Sequence, residues 1–255
     1  MDLLTFSFAL TLAALIGLSL GLLGSGGSII TLPVLVYIAH VPAQQAVGMA
    51  LVIVGGTSAF GALLNLRQGT FDWRSATFFA LSGMVGAFVG AKFTHLVSAP
   101  MLLLLFGLLM LVAGTRMLRN TETAMKPQPC RPLHCLAVGI AVGVLTGFLG
   151  VGGGFLILPA LVMFTGLEMK TAIGTSLAVI AVNCIGGLIG QMRYVNFDWR
   201  LTLSFLLVAM VGMSAGVALA EQLSAAVLRR GFAGGVVLLD FALVARNLLL
   251  LAGSR

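Results

Sequence analysis

Charge is what this sequence has least of. Only 8% of its 255 residues are Asp, Glu, Lys or Arg, against about 25% in soluble domains, which excludes an ordinary water-soluble fold. Acids are scarcer than bases, 7 against 14. The bases stand in short stretches between long apolar runs, so they report membrane topology rather than a nucleic-acid footprint. Cysteine is limited to Cys130, Cys135 and Cys184, an odd count from which no disulfide framework follows. His134 with the first two lacks a fourth ligand at a recognisable spacing, so no metal site is read there. A basic n-region is missing ahead of the first apolar run, Leu3–Leu23, which Asp2 precedes. That run is also too long for a signal-peptide core, so it is expected to stay in the mature chain.

What is present is 60% hydrophobic residues. At about 20 residues per crossing this length holds roughly eight to ten membrane spans and leaves no separate soluble domain. The longest hydrophilic stretch, Arg116–Pro132, divides the chain nearly in half and prompts a search for a duplication. Gly21-Leu22-Leu23-Gly24-Ser25-Gly26-Gly27 with Leu32-Pro33 recurs as Gly147-Phe148-Leu149-Gly150-Val151-Gly152-Gly153 with Leu158-Pro159, an offset of 126. In the same register Ala46-Val47-Gly48 matches Ala172-Ile173-Gly174, Arg67 matches Arg193, and Phe71-Asp72-Trp73-Arg74 matches Phe197-Asp198-Trp199-Arg200. The chain therefore reads as one membrane domain over 1–255, with repeat 1 at about 3–118, a linker at about 119–132 and repeat 2 at about 133–251.

Each half holds a span (Leu3–Leu23; Leu133–Leu149), a Gly-rich break, a short apolar piece (Ile29–Ala39; Phe155–Thr165) and a long span (Val41–Leu66; Lys170–Met192). Two further spans follow in each, Ser75–Leu96 and Pro100–Leu118, then Leu201–Leu219 and Val227–Leu251. The short pieces reach only about 16 Å against a hydrocarbon core of about 30 Å. Taken as half-helices, they leave an all-α polytopic membrane protein of about eight transmembrane helices in two parallel homologous repeats. Counted as passes, they give the alternative of ten spans in inverted repeats. With the linker cytoplasmic, the basic residues divide ten inside to four outside in the first arrangement and nine to five in the second, so charge hardly discriminates. Length favours eight.

Irregular backbone at membrane depth survives only inside protein or along a wet cavity. Gly24-Ser25-Gly26-Gly27-Ser28 and Gly150-Val151-Gly152-Gly153-Gly154 can expose backbone N–H groups where a short helix begins, a ready anion site. Pro33 and Pro159 are expected near the first turns of those helices, where a missing N–H costs little. The bland reading is close helix packing, as expected of Gly86/Gly90 and Gly212/Gly216. Clustering ahead of a segment too short to span sets the two breaks apart. Neither is a soluble nucleotide motif, because Ile29 breaks the GxGxxG pattern and no Lys-Ser/Thr follows.

Polar residues of the long spans could complete the cavity: Thr57, Ser58 and Asn65 in the first half, against Asn183, Cys184 and Gln191 in the second. Thr175 and Ser176 stand where the first half has Met49 and Ala50, so the halves need not contribute equally. Isolated hydroxyls in membrane helices usually bond back to their own backbone, which is the competing reading. Asp240 is the only acid deep inside an apolar run and is a candidate proton-coupling group, though an ion pair would explain it equally. Arg67 and Arg193 are candidates for a cytoplasmic mouth. The two Phe-Asp-Trp-Arg copies look interfacial, with Asp capping the next helix.

With GxGG–LP, the A-(V/I)-G start of the next span and FDWR in both halves, the sequence resembles the TauE/SafE sulfite-exporter family, over nearly its whole length. The resemblance implies a multi-pass transporter of the cell inner membrane, built by duplication and handling sulfite, sulfonates or related small anions. It carries the glycine motif over to Gly24, Gly26, Gly27, Gly150, Gly152 and Gly153. The expected partners are a small anionic substrate, membrane lipid and a possible coupling proton, with no cofactor, metal or nucleic acid; oligomeric state is not legible. A passive anion channel and a transporter of another organic anion are the alternatives. An enzyme is not read, because the spans offer no nucleophile–base pair and His40, His95 and His134 fall at span ends or loops.

Overall fold

The computed structural model describes residues 3–24, 26–93, 132–149, 154–191, 198–224 and 227–228. Among them are eight helices and no strand: α1 (Leu3–Leu23), α2 (Gly26–Tyr37), α3 (Ala43–Arg67), α4 (Trp73–Phe93), α5 (Pro132–Leu149), α6 (Gly154–Thr165), α7 (Met169–Gln191) and α8 (Trp199–Gln222). Four of these, α3, α4, α7 and α8, are long and apolar enough to cross a membrane. The expected span at Pro100–Leu118, and that at Val227–Leu251 beyond its first two residues, lie outside the described residues.

The short helices begin at the glycines, as the sequence suggests. Each has 12 residues, about 18 Å of rise. Because they start this early, Pro33 and Pro159 fall in the helix interior rather than in the first turn. A proline there removes one helical hydrogen bond and leaves the carbonyl four residues earlier without its usual donor. The bounds of α1 coincide with the first apolar run. Cys135 at the start of α5 is disulfide-bonded, where the odd cysteine count gave no reason to expect a bridge.

Small residues let the helices touch along their backbones. A Cβ on Gly143 of α5 would lie 2.8 Å from the Gly83 Cα on α4, and one on Gly86 would lie 2.8 Å from the Val144 nitrogen. On α1 and α8 the corresponding positions behave alike: a Cβ on Gly17 would lie 2.7 Å from the Ala209 carbonyl carbon, and one on Gly212 would crowd Ala14 and Leu18. Both pairs run parallel. So do α3 with α8, through Gly56–Leu206 and Gly61–Met213, and α4 with α7, through Gly83–Asn183 and Gly190–Ala91.

In contrast, α3 and α7 run antiparallel: Gly55 meets Cys184, Gly61 meets Leu177, and Gly187 meets Leu51. Thus the C-terminal end of α3, at Arg67, lies beside the start of α7, and Lys170 there donates from Nζ to the Glu221 carbonyl at the end of α8 (2.9 Å). Between α1 and α3, helix α2 folds back along α1, with Gly27 against Ile16 and Leu20. The interior of the bundle is filled by α3 and α7, whose buried residues include Met49, Leu51, Val54, Leu177, Val179 and Ile180. Outward faces carry exposed apolar side chains such as Leu81, Leu207 and Val211, the surface that lipid would cover. Trp73 and Trp199 are also exposed, each just after an Asp that accepts from the N3 backbone N–H of its helix, Asp72 from Ser75 (3.0 Å) and Asp198 from Leu201 (3.2 Å).

Candidate functional site

The break between α1 and α2 is built from glycine chemistry at Gly24. Its φ of +67° is the left-handed C′ conformation that ends a helix, and its N–H returns to the Leu20 carbonyl (2.8 Å). That N–H is therefore occupied by α1, and the donors that the break can still present are those of the first turn of α2, at Gly26, Gly27 and Ser28. The close approach is strict as well: a Cβ on Gly24 would lie 2.9 Å from both the Ile173 Cα and the Ser176 Oγ of α7.

This contact joins two sequence-predicted groups. Ser176 Oγ donates to the Gly24 carbonyl (3.1 Å) and shares its hydrogen with the Ile173 carbonyl of its own helix (2.8 Å). Thr175 Oγ1 accepts from the Asp72 backbone N–H (3.0 Å) in the link between α3 and α4. Both side chains are fully buried. Close by, Gly174 packs on Asn65 and Thr70. Thr70 Oγ1 lies 3.2 Å from Asn65 Oδ1, and Asn65 Nδ2 donates to the Gly61 carbonyl (2.9 Å). One polar seam thus runs from the first break across α7 to the end of α3. Thr70 and the Asp72 N–H were not among the sequence candidates; a backbone donor in a loop leaves no mark in composition.

The positions equivalent to Thr175 and Ser176 are Met49 and Ala50, both fully buried and apolar. The chemistry of the two halves is unequal there, as the sequence indicates. Gly150, Gly152, Gly153, Ser25, Arg193 and Asp240 lie outside the described residues, and Gly154 is the first residue of α6. Arg67 is exposed in the last turn of α3.

Thr57, Ser58, Asn183 and Gln191 are all buried on α3 and α7. Thr57 Oγ1 donates back to the Ile53 carbonyl (2.6 Å), the self-satisfied state common for hydroxyls in membrane helices. Asn183 behaves differently: its amide sits over Gly83 of α4, where a Cβ would lie 2.5 Å from Oδ1 and 2.7 Å from Nδ2. Among the sequence candidates, then, the structure brings Gly24 to Ser176, ties the neighbouring Thr175 to the α3–α4 link, and buries Thr57 and Asn183 on α3 and α7.

A family model described as "Sulfite exporter TauE/SafE" matches residues 9–243. Among curated proteins, the chain is 37% identical to a "Probable membrane transporter protein" of Xylella fastidiosa (strain 9a5c) over 217 residues, 83% of each chain. It is 39% identical to a protein of the same description from strain Temecula1 of that species, over 83% of each. It is 30% identical to "Probable membrane transporter protein YdhB" of Bacillus subtilis, covering 84% of this chain and 90% of that one. No solved structure matches.

Proposed function

This chain belongs to the TauE/SafE sulfite exporter family, and from that premise we propose that it is a secondary transporter moving a small sulfur-containing oxyanion, sulfite or an organosulfonate, across the cell inner membrane. The observation that carries the proposal is the first glycine break: an interrupted pair of helices meets a buried hydroxyl of the other half, Ser176, whose neighbour Thr175 is tied to the link between α3 and α4. The first turn of α2 supplies N–H donors and a partial positive charge, while the seam beside it supplies polar groups that a hydrated anion exchanges for water. The second break, Gly150–Gly154, plays the corresponding part for the other half, in which Met49 and Ala50 stand at the sequence positions equivalent to Thr175 and Ser176. Arg67 draws anions to the adjacent mouth, Arg193 is its counterpart, and Asp240 is the candidate coupling group.

The antiparallel course of α3 and α7 supports inverted repeats, the ten-span alternative, in which the short helices count as passes. In that arrangement α1 ends toward one face of the membrane and α5 toward the other, so the two breaks open in opposite directions, the usual basis of alternating access. The face bearing Arg67, Arg74 and the start of α5 is then cytoplasmic, since the basic linker leads into Pro132.

The test is sulfite flux into proteoliposomes, with and without an imposed pH gradient, against protein-free liposomes and a Gly26→Leu/Gly152→Leu double variant. Saturable, gradient-driven accumulation that the double variant loses is the expected result. Flux that never runs uphill would replace the transporter with a passive channel, and absence of flux from folded protein would rule out sulfite.

A further inference from the structure

Helices α3 and α7 cross near their midpoints, where a Cβ on Gly55 would lie 2.8 Å from the Cys184 Cβ. One turn beyond Gly55 stands Ser58, fully buried, whose Oγ has no hydrogen-bond partner. Beside Cys184 stands Asn183, 2% exposed, with neither Oδ1 nor Nδ2 partnered. Other buried polar groups close on their own helix backbone, Thr57 on Ile53 and Asn65 on Gly61 in α3, and Thr31 on Gly27 in α2. Ser58 and Asn183 forgo that option, and α4 makes room for the amide with Gly83. Buried polar groups left unpartnered in an apolar interior are costly, so two at one helix crossing point to a ligand.

We propose that Ser58 and Asn183 form an anion subsite at the α3–α7 crossing, and that its ligand is a singly charged oxyanion that also carries a hydrogen, as hydrogen sulfite does. The proposal rests on the transporter reading above and names the form of the substrate. Asn183 Nδ2 and the Ser58 hydroxyl offer donors to ligand oxygens, while Asn183 Oδ1 accepts only. A fully deprotonated dianion would set negative oxygen against Oδ1; a protonated one donates to it. Charge argues the same way. Among the described residues, the ionisable groups on elements packed against α3 and α7 stand in terminal turns: Tyr37 on α2, Arg67 on α3, Arg74 and Lys92 on α4, His134 on α5, Lys170 on α7, and Arg200 and Glu221 on α8. Cys184 alone lies at the crossing. With no fixed countercharge there, the desolvation cost grows as the square of ligand charge, roughly fourfold for a dianion over a monoanion. A cation is poorly served, because both helices run unbroken here, their carbonyls are engaged, and two side-chain oxygens fall short of the roughly six that hard cations take.

The experiment uses the full chain, in detergent for thermal unfolding and in proteoliposomes for flux, with sulfite at pH values on both sides of its second ionisation, and with methanesulfonate as a monoanion lacking a donor hydrogen. Wild type should bind sulfite more tightly as pH falls and bind methanesulfonate more weakly than hydrogen sulfite. Ser58→Ala and Asn183→Leu should unfold at the same or a higher temperature without ligand, since each removes an unpartnered group, yet bind sulfite about tenfold or more weakly. Wild-type affinity and pH dependence in both variants would overturn the subsite while leaving the transporter standing. Lower ligand-free unfolding temperatures in both would overturn it too, by showing that the groups are already satisfied. A wild type silent to every oxyanion would overturn the transporter reading itself, and the named ligand with it.

Discussion

Gly143→Ala tests whether backbone contact between helices holds this bundle together. The added Cβ would lie 2.8 Å from the Gly83 Cα and 2.9 Å from its carbonyl carbon. Carbon–carbon contacts are comfortable at about 3.5–4.0 Å, so α4 and α5 must separate by about 1 Å, and no rotamer change relieves a backbone neighbour. Overpacking of this kind costs about 1–3 kcal/mol, and the alanine returns about 1 kcal/mol through helix propensity, leaving a net loss of up to about 2 kcal/mol. Gly187→Ala is the control. The atoms nearest its Cβ would be those of the Leu51 side-chain end, the two methyl carbons at 3.3 Å, and a leucine end can turn aside. There the propensity gain of about 1 kcal/mol survives nearly whole. Thermal unfolding of purified protein in detergent should show Gly143→Ala melting below wild type and Gly187→Ala at or above it. Gly17→Ala, the equivalent of Gly143 on α1, should fall with Gly143→Ala. Equal melting of Gly143→Ala and Gly187→Ala would refute the reasoning, because the two changes are identical in chemistry and differ only in what the Cβ meets.

Asp72→Ala and Asp198→Ala each remove a cap that accepts an N3 backbone N–H, and each should lower stability by about 1 kcal/mol, read by the same melting assay; restoration by Asn but not by Ala would mark the effect as capping. Single cysteines at Gln68, Glu168, Pro42 and Arg200 in a cysteine-free background, labelled in intact cells with an impermeant maleimide, test the direction of the helices. The antiparallel α3–α7 pair puts Gln68 with Glu168 on one face and Pro42 with Arg200 on the other. Labelling that groups Gln68 with Arg200 instead would restore parallel repeats.

Much of the helix plan was legible because apolar length alone bounds a membrane helix, and the end of α1 at Leu23 or the start of α6 at Gly154 needed no tertiary knowledge. The direction of α7 relative to α3 was not, since it turns on whether a helix of 12 residues counts as a pass, and length argued against it. The depth of Pro33 is not legible to within a turn: a helix that begins at Gly26 places Pro33 in its interior, whereas one that begins at the apolar run from Ile29 places it near the first turn. Thr175 and Ser176 were visible as a departure from the repeat. Their partner, the Asp72 N–H, was not, because an interaction across more than a hundred residues with a backbone donor leaves no periodic trace. Ser58 is legible as a polar residue that could complete a cavity, but that its hydroxyl does not bond back to its own helix, as Thr57 does, shows only in the structure.

The two halves agree in packing and differ in chemistry, and the difference falls where function is proposed. Gly17 on Ala209 repeats as Gly143 on Gly83, and Gly212 on Ala14 and Leu18 repeats as Gly86 on Ile140 and Val144. These are contacts of backbone and small side chains, which tolerate no substitution that adds volume, so they hold the duplicated architecture in register. Away from them, Thr57 is matched in sequence by Asn183, Ser58 by Cys184, and Met49-Ala50 by Thr175-Ser176. On the proposed transport reading, the hydroxyl pair stands by the first break, where Ser176 meets Gly24, and the equivalent positions in the first half are apolar. Exchange of the two pairs, Met49→Thr/Ala50→Ser with Thr175→Met/Ser176→Ala, would move the hydroxyl pair to the equivalent positions of the other half while keeping the composition unchanged, and in oriented proteoliposomes the side of tighter anion binding should move with it. Apparent affinities that stay the same on each side after the exchange would show that this asymmetry has no part in holding the anion.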